Sequence, residues 1–340
     1  MKGSYLLVTI WLGLSTFILL LFIGWLSFSL AAGIIVYLTS LTTNHVHLDP
    51  PSVRKAEKTS VMKAHTLDPV IKETLNAAKG RWFEMLDRNE IQHVLLKSND
   101  NLSLTGYYWQ AKKNTSHNTV ILVHGMYDSA AGMAYLAEEY HKKECNILSI
   151  DLRSHGESEG TKRTMGIRES EDLALWVEYI EKKDPSQNIF LHGVSMGGAT
   201  VLLYAGNRKN KNTLVKGIIS DSSYPSYTAV FLRLVRMIFN NPFVSHSIIW
   251  GASWGSFFNT GIFLSEIRPD KALNNIEIPI LLFHGEKDQL VPLSMIHPLV
   301  YVKMKPKCEL VVVPEAPHIG AYFYAPELYM NKINDFMGRL

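Results

Sequence analysis

Hydrophobic residues follow two patterns along this chain: one long run near the amino terminus, then short runs separated by polar segments. The range Tyr5–Leu38 is almost entirely apolar, and no Asp, Glu, Lys, Arg or His lies between Gly3 and Asn44. A transmembrane helix needs about 20 apolar residues, whereas the apolar core of a signal peptide has about 7 to 15. The length of the run therefore predicts an uncleaved, single-pass transmembrane anchor at residues 1–43, in contact with membrane lipid.

Three alternatives for this segment stay open. They are a signal peptide cleaved after Ala31, a tilted helix with an interfacial extension, and a tight hairpin near Gly24. Lys2 lies on one side of the run and three basic residues of Arg54–Lys58 lie on the other, so the positive-inside rule gives no clear orientation. We expect an extracytoplasmic location for the rest of the chain, because uncleaved signal anchors commonly insert in that direction.

Beyond the anchor, residues 44–88 are predicted to be a polar linker followed by short helices. Asp68 suits the N-cap of a helix and Gly80 suits its end, with a further helical stretch at Arg81–Asp87. One large domain is then predicted to occupy residues 89–340, since the chain is long enough to bury a sizeable core.

Within this domain, short apolar runs alternate with helical patterns. Ile91–Lys97 and Leu102–Trp109 predict a hairpin around the turn residues Asn99–Asn101. Six further runs predict parallel strands: Thr119–His124, Asn146–Asp151, Asn188–His192, Lys216–Asp221, Ile278–His284 and Glu309–Val313. Strands that alternate with helices predict an α/β fold, with a mostly parallel sheet covered by helices on both faces. Functional residues should then lie at the carboxyl ends of the strands.

The segment at about 222–275 is too long for a simple crossover, and we predict that it forms a helical cap. From Ser222 to Ser265 it contains no acidic residue, and Arg233 and Arg236 are its only lysine or arginine residues. Four aromatic residues recur there at helical spacing: Trp250, Trp254, Phe257 and Phe258. They favour either an apolar roof over an acyl-binding pocket, in contact with the bilayer surface, or ordinary packing of cap helices on the sheet.

Composition excludes several classes of function. A formal net charge of +3, with no basic stripe interleaved with aromatic residues, argues against nucleic-acid binding. Cys145 and Cys308 each precede a predicted strand, and we interpret them as free, half-buried thiols. No metal-ligand motif occurs in the sequence, so neither a metal nor another cofactor is expected.

The most informative motif is Gly193-Val194-Ser195-Met196-Gly197. It follows the apolar run Ile189–Leu191 and opens the helical pattern Ala199–Ala205. Strand, Gly-x-Ser-x-Gly and helix in this order are typical of a nucleophile elbow, a sharp turn that exposes the serine at the edge of the sheet. Ser195 is therefore the candidate nucleophile.

A serine hydroxyl needs a base to take its proton and a third group to orient that base. In this arrangement the chain order is serine, acid, histidine. His318 follows the last strand in the loop Pro314–His318, where a base can reach the edge of the sheet, and it is the predicted base. His297, in a predicted helix, is the second candidate. His284 is interpreted as a strand-end residue, and His246 lies in the predicted cap.

The predicted acid is Asp288, which lies just past the end of a strand. Two alternatives are Glu286, closer to that strand, and Asp221, at the end of the preceding strand. Any of these carboxylates could instead cap a turn or a helix.

The oxyanion of a tetrahedral intermediate needs two converging donors. The backbone N–H groups of Met196, after the nucleophile, and of Met126, in the loop after Val120–Val123, are the candidates. Loss of one such donor costs about 3 kcal/mol of transition-state stabilisation. Gly125 permits the tight turn, and His124 is interpreted as a structural loop residue.

Five blocks in their expected order resemble the α/β-hydrolases, and specifically the bacterial membrane-anchored members related to serine aminopeptidases and esterases. The blocks are Val123–Met126, Asp151–Ser158, Leu191–Gly198, Pro279–Pro292 and Ala316–His318. The resemblance covers roughly Ile91 to Leu340. One departure is Ile319-Gly320-Ala321 after the predicted base, where the family often has Gly or Ala and then a small polar residue; this departure affects the shape of the pocket more than the base.

The resemblance and the motif together lead us to expect a serine hydrolase that cleaves a small-molecule carboxylic ester through an acyl-enzyme. A serine peptidase acting on short peptides is the nearest alternative. Acyl transfer to an acceptor other than water would use the same residues. A non-catalytic binding module on the hydrolase fold is the alternative from a different class.

Overall fold

The computed structural model describes residues 2–41, 69–112, 116–210, 212–296 and 308–340. Residues 42–68, which include the start of the segment predicted at 44–88 as a linker and short helices, lie outside the described residues, as does His297. The chain forms two compact units. One comprises Met1–Thr42 and Phe231–Glu266, and the other comprises Thr43–Val230 and Ile267–Leu340.

The second unit is built on an eight-stranded sheet with the order β1-β2-β4-β3-β5-β6-β7-β8. The strands are β1 Gln92–Lys97, β2 Ser103–Trp109, β3 Asn118–Val123, β4 Asn146–Ile150, β5 Asn188–Val194, β6 Val215–Asp221, β7 Ile280–Gly285 and β8 Cys308–Val313. β2 pairs antiparallel with β1 and β4, and β3 to β8 are parallel. The predicted hairpin and mostly parallel sheet are therefore confirmed.

Helices connect these strands. Those of the second unit are α2 Pro69–Asp87, α3 Ala134–Lys142, α4 Ile167–Lys183, α5 Met196–Gly206, α8 Pro269–Ala272, α9 Ala321–Tyr324 and α10 Pro326–Gly338. A further helix, α6 Tyr227–Ile238, begins in the second unit and continues into the first. Alternate strand residues enter opposite layers of the core, because the side chains of a strand point to its two faces in turn. Val120 and Leu122 join one core cluster with Trp82 and Ile333, whereas Ile121 is equally buried outside that cluster.

The predicted helix end at Gly80 is wrong, because α2 continues without a break to Asp87. Its buried residues Ile71, Ala78 and Trp82 lie on one helical stripe that crosses the glycine. Glycine inside a helix costs about 1 kcal/mol relative to alanine, and the burial of a tryptophan outweighs that cost.

The first unit contains α1 Lys2–Leu41, the remainder of α6 and α7 Pro242–Thr260. Within α1, the 21 residues Leu14–Ile34 have a mean hydropathy of 2.3 and are long and apolar enough to cross a membrane. Because α1 is one continuous helix, the hairpin alternative near Gly24 is wrong.

Small residues bring α1 and α7 into close contact within this unit. A methyl group on Gly33 would lie 2.2 Å from the backbone N of Ala252, and one on Gly251 would lie 1.9 Å from the carbonyl oxygen of Ser29. Nearby, the Trp25 indole Nε1 donates to Ser247 Oγ at 2.8 Å. Only glycine permits such an approach of two helix backbones, and small residues at a helix crossing are typical of helix pairs in membranes.

Candidate active site

Ser195 lies at the turn between β5 and α5, with φ 53° and ψ −113°. This left-handed backbone is costly for a residue other than glycine, so the surrounding contacts must impose it. Two close approaches explain the flanking glycines. A methyl group on Gly193 would lie 2.1 Å from the Gly197 carbonyl oxygen, and one on Gly197 would lie 2.0 Å from the Val123 carbonyl oxygen.

The structure brings Ser195, His318 and Asp288 together. Ser195 Oγ lies 2.9 Å from His318 Nε2, and His318 Nδ1 lies 2.7 Å from Asp288 Oδ2. The three residues come from loops after β5, β8 and β7, whose carboxyl ends meet at one edge of the sheet. With Nδ1–H donating to the carboxylate, Nε2 is free to accept the serine proton.

Asp288 is held by its own turn. Its Oδ1 accepts the backbone N–H groups of Leu290 at 2.9 Å and Val291 at 2.8 Å, and its side chain is fully buried. Both backbone donors fix the rotamer that points Oδ2 at the imidazole.

The alternative acids have other partners. Glu286 is exposed and accepts the backbone N–H of Glu315 at 3.2 Å. Asp221 is buried, and its carboxylate accepts the hydroxyls of Ser222 at 2.8 Å and Tyr329 at 2.9 Å. Neither carboxylate hydrogen-bonds with His318 among the described residues, whereas Asp288 does.

The other histidines have structural surroundings. His284 is buried, its Nε2 donates to the Val291 carbonyl at 2.7 Å, and burial lowers its pKa. His246 is exposed on α7, where Nδ1 contacts the Pro242 carbonyl at 2.6 Å. In His124, Nδ1–H donates to the Gly125 carbonyl at 2.6 Å and Nε2 accepts from Leu152 N at 3.1 Å, so this ring holds the loop after β3.

That loop lies against the nucleophile. A methyl group on Gly125 would lie 3.4 Å from Ser195 Cβ. Met126 is the next residue in the chain after this close approach. Met196 begins α5, where the first backbone N–H groups have no partner within the helix. The two predicted oxyanion donors thus belong to segments that meet at Ser195, and their role stays a prediction.

A buried hydrogen-bond network beneath the site was not predicted from the sequence. Tyr140 Oη lies 2.8 Å from His192 Nδ1, His192 Nε2 lies 3.0 Å from Tyr329 Oη, and Tyr329 donates to Asp221. Burial lowers the pKa of His192 to about 3, so the imidazole is neutral. Tyr140 then donates to Nδ1 and Nε2–H donates to Tyr329, so every donor in the chain is directed toward Asp221.

Asp221 joins this network to both ends of the site. Its backbone oxygen accepts the Ser195 N–H at 2.8 Å, and Ser222, which donates to its carboxylate, accepts the N–H of Ile319 at 3.1 Å. Burial raises the pKa of Asp221 to about 6. The network therefore supports the turn of the nucleophile and the loop that carries His318.

The described residues contain no group of three or more His, Cys, Asp or Glu side chains that could hold a metal ion. Cys145 is buried, Cys308 is half-buried, and both are unbridged. Burial raises the pKa of each thiol to about 11, which disfavours the reactive thiolate.

Comparisons with known proteins show what the chain is similar to in sequence. The family model of the serine aminopeptidases, S33, matches residues 114–248. The uncharacterised protein YqkD of Bacillus subtilis (strain 168) is 24% identical over 259 residues, which cover 76% of this chain and 83% of that protein. The uncharacterised protein YfhR of Escherichia coli (strain K12) is 23% identical over 252 residues, covering 72% and 80%.

Solved structures are similar over most of the chain. The esterase Pf2001 of Pyrococcus furiosus is 25% identical, with a TM-score of 0.59, and the match covers 74% of this chain and 91% of that chain. Est1E of Butyrivibrio proteoclasticus, solved with ferulic acid bound, is 19% identical, with a TM-score of 0.54 over 72% of this chain and 98% of that one. Hydrolases are thus similar to this chain in both sequence and fold.

Proposed function

Since the chain belongs to the α/β-hydrolase superfamily, we propose that it is a serine hydrolase that cleaves carboxylic esters through an acyl-enzyme. The observation that carries the proposal is the continuous hydrogen-bonded relay from Ser195 Oγ through His318 to Asp288 Oδ2, with distances of 2.9 and 2.7 Å. No further titratable group is needed to activate the serine.

The reaction follows from this relay. Ser195 Oγ attacks the ester carbonyl carbon while His318 Nε2 takes its proton, and the negative charge on the carbonyl oxygen is stabilised by the N–H groups of Met126 and Met196. When the carbon–oxygen bond to the leaving alcohol breaks, the imidazolium returns the proton to that alcohol. Asp288 stabilises the imidazolium in between. Water, activated by the same imidazole, then cleaves the acyl-enzyme and releases the acid.

An ester fits the chain better than a peptide with a free amino terminus. Recognition of a substrate ammonium needs a carboxylate, and the segment predicted as the cap, Ser222–Ser265, contains none in its sequence. The similarity to the Pyrococcus esterase supports the same choice. The match to the aminopeptidase family model keeps a serine peptidase as the second candidate.

Steady-state hydrolysis by the full-length protein in detergent micelles tests this function. We expect turnover of p-nitrophenyl butyrate to exceed that of aminoacyl p-nitroanilides. Ser195→Ala should lower kcat by several orders of magnitude. Ser186→Ala is the matched control, because Ser186 is exposed before β5 and its hydroxyl bonds only to Asp184 among the described residues.

Two results would contradict the proposal. Faster cleavage of the anilides would favour the peptidase. An inert but folded parent protein would favour a non-catalytic binding module.

We also propose that α1 anchors the protein in a bilayer as an uncleaved single-pass helix, with the hydrolase unit on the extracytoplasmic side. In α1, Phe17, Leu20 and Phe28 are each more than half exposed, whereas the side facing α7 is occupied by Ser29 and Gly33. Exposed apolar side chains of this kind would favour aggregation of a soluble protein, whereas membrane lipid would cover them.

Intact mass measurement and alkaline extraction of membranes test the anchor. We expect a mature chain that retains residues 1–31. It should stay in the membrane pellet at high pH, because a helix that spans the bilayer is not extracted by alkaline carbonate buffer. External protease should degrade the hydrolase unit in intact cells if it lies outside. A soluble chain that begins after Ala31 would show instead that the segment is a cleaved signal peptide.

A further inference from the structure

Arg163 is a buried cation for which the proposed mechanism has no use. Its residue surface is 7% exposed, and its Nε–H has no hydrogen-bond partner in the part of the chain that the structure describes. The guanidinium carbon lies 4.5 Å from the centroid of the Tyr127 ring. A cation–π contact of this kind contributes about 0.5 to 2 kcal/mol, which is less than the cost of removing a charged group from water.

A second buried arginine in the same unit shows the usual solution. Arg153 Nε donates to Asp172 Oδ2 at 2.6 Å, and its Nη1 lies 3.0 Å from Asp100 Oδ2. Arg163, in contrast, forms no ion pair with any residue that the structure describes. Buried charges are normally paired, so the missing counter-charge is the feature that needs an explanation.

The carboxylates near Arg163 have other partners. Glu169 accepts the backbone N–H groups of Thr164 at 2.8 Å and Gly166 at 2.9 Å, so it serves as a brace for the loop that carries the arginine. Asp128, next to Tyr127, is paired with Lys79 at 2.9 Å. Glu169 attracts the guanidinium without touching it, and neither carboxylate forms an ion pair with Arg163 among the described residues.

Arg163 lies beside the predicted oxyanion loop. Its contact residue Tyr127 directly follows Met126, and Gly125 of the same loop lies against Ser195. Tyr127 has a positive φ of 65° and is half exposed. A strained residue other than glycine is a feature that clusters at ligand-binding sites. The guanidinium therefore lies against the residue that follows a predicted oxyanion donor.

The loop that carries Arg163 is held in place by several hydrogen bonds. In addition to the Glu169 brace, the Tyr224 hydroxyl donates to the Met165 carbonyl at 2.8 Å. Met165 and Gly166 both have positive φ, of 53° and 108°. A guanidinium fixed in this way loses little entropy when it binds a planar anion with two parallel hydrogen bonds.

We propose that Arg163 is a substrate-binding residue that pairs with an anionic group, a carboxylate or a phosphate, carried by the ester cleaved at Ser195. This inference rests on the proposed function. The substrate is then an ester with a negative charge a few bonds from the scissile carbonyl, on either the acyl or the alcohol side. The anion supplies the direct ion-pair partner that Arg163 lacks among the described residues.

Matched pairs of esters test the proposal with the full-length protein. On the acyl side the pair is p-nitrophenyl hemiglutarate and p-nitrophenyl pentanoate. On the alcohol side it is butanoyl-glycerol 3-phosphate and monobutanoylglycerol. Rates with Ser195→Ala are subtracted, because a free carboxylate accelerates the spontaneous loss of p-nitrophenol. We expect the anionic member of at least one pair to have the higher kcat/KM, by about tenfold, mainly through a lower KM.

Arg163→Gln should lower this anionic-to-neutral ratio at least tenfold, and Arg163→Lys should restore part of it. Arg168→Gln is the matched control, because Arg168 lies five residues away on α4 with its side chain 40% exposed and near Asp100. The ratio should stay unchanged in this variant. Neutral esters that are cleaved with no preference for the anionic partner, or a preference that survives in Arg163→Gln, would overturn the proposal while leaving the esterase function intact.

Binding measured without turnover distinguishes a failure of the anion site from a failure of the proposed esterase function. Calorimetry with Ser195→Ala compares monoethyl glutarate with ethyl pentanoate, and butanoyl-glycerol 3-phosphate with monobutanoylglycerol. Tighter binding of an anionic member that is lost in Ser195→Ala/Arg163→Gln supports the anion site even if no ester is hydrolysed. Equal binding of both members in both pairs, with or without Arg163, would overturn it.

Discussion

Asp288→Asn is expected to lower kcat for ester hydrolysis by about 10⁴-fold, with little change in KM. The two backbone donors at Leu290 and Val291 point at Oδ1 and will hold the amide oxygen of asparagine in that position. The amide NH₂ then faces His318 Nδ1, where Oδ2 now lies at 2.7 Å. Because two donors cannot face each other, the imidazole proton moves to Nε2, and the ring loses its ability to accept the proton of Ser195.

Two control variants separate this effect from a general change of charge. Glu286→Gln should leave kcat nearly unchanged, since Glu286 is exposed and bonds to a backbone N–H of Glu315. Asp221→Asn should lower kcat far less than Asp288→Asn, because its carboxylate acts through Ser222 and Tyr329 rather than on the imidazole. If Asp221→Asn causes the 10⁴-fold loss and Asp288→Asn does not, the acid of the relay is misassigned.

The largest expected effect on stability comes from Asp172→Ala, which should lower the free energy of unfolding by about 3 to 5 kcal/mol. Arg153 donates to both oxygens of Asp172 at 2.6 Å, and the two side chains are only 5% and 4% exposed. Removal of the carboxylate leaves a buried cation with Asp100 as its remaining partner. Denaturant unfolding followed by circular dichroism measures the difference.

Asp100→Ala is the matched control for this prediction. It removes the other partner of Arg153, but its carboxylate is 40% exposed, so solvent screens the lost interaction and the cost should stay below about 1 kcal/mol. The double variant Arg153→Met/Asp172→Leu should recover much of the stability lost in Asp172→Ala, since an apolar pair replaces a buried ion pair at low cost. Equal losses in Asp172→Ala and Asp100→Ala would contradict this account.

Local patterns in the sequence predicted the sheet and the serine turn well. β5, Ser195 and α5 could be predicted because the spacing of Gly193 and Gly197 is dictated by contacts within the turn and with the neighbouring β3. The helix end predicted at Gly80 was wrong for the opposite reason. A glycine is a local signal for a helix end. The helix continues past Gly80 because Trp82 packs against residues more than 20 positions away in the chain.

Outside the motifs of the candidate site, roles that depend on distant partners could not be predicted. The block Asp151–Ser158 was recognisable as a family signature, but the ion pair of Arg153 needs Asp172, 19 residues further along the chain. His192 and Tyr329 are separated by 137 residues, and nothing in either local sequence indicates that they bond. The order of strands brings such residues together, and the sequence pattern carries no direct record of that order.

Covalent labelling of the full-length protein with a fluorophosphonate, followed by peptide mass mapping, shows whether Ser195 is an activated nucleophile. We expect a single modified peptide, with the phosphonyl group on Ser195, and labelling that is lost in Ser195→Ala and strongly slowed in Asp288→Asn. Equal labelling of Ser195→Ala and its parent, or modification of a different serine, would contradict this expectation.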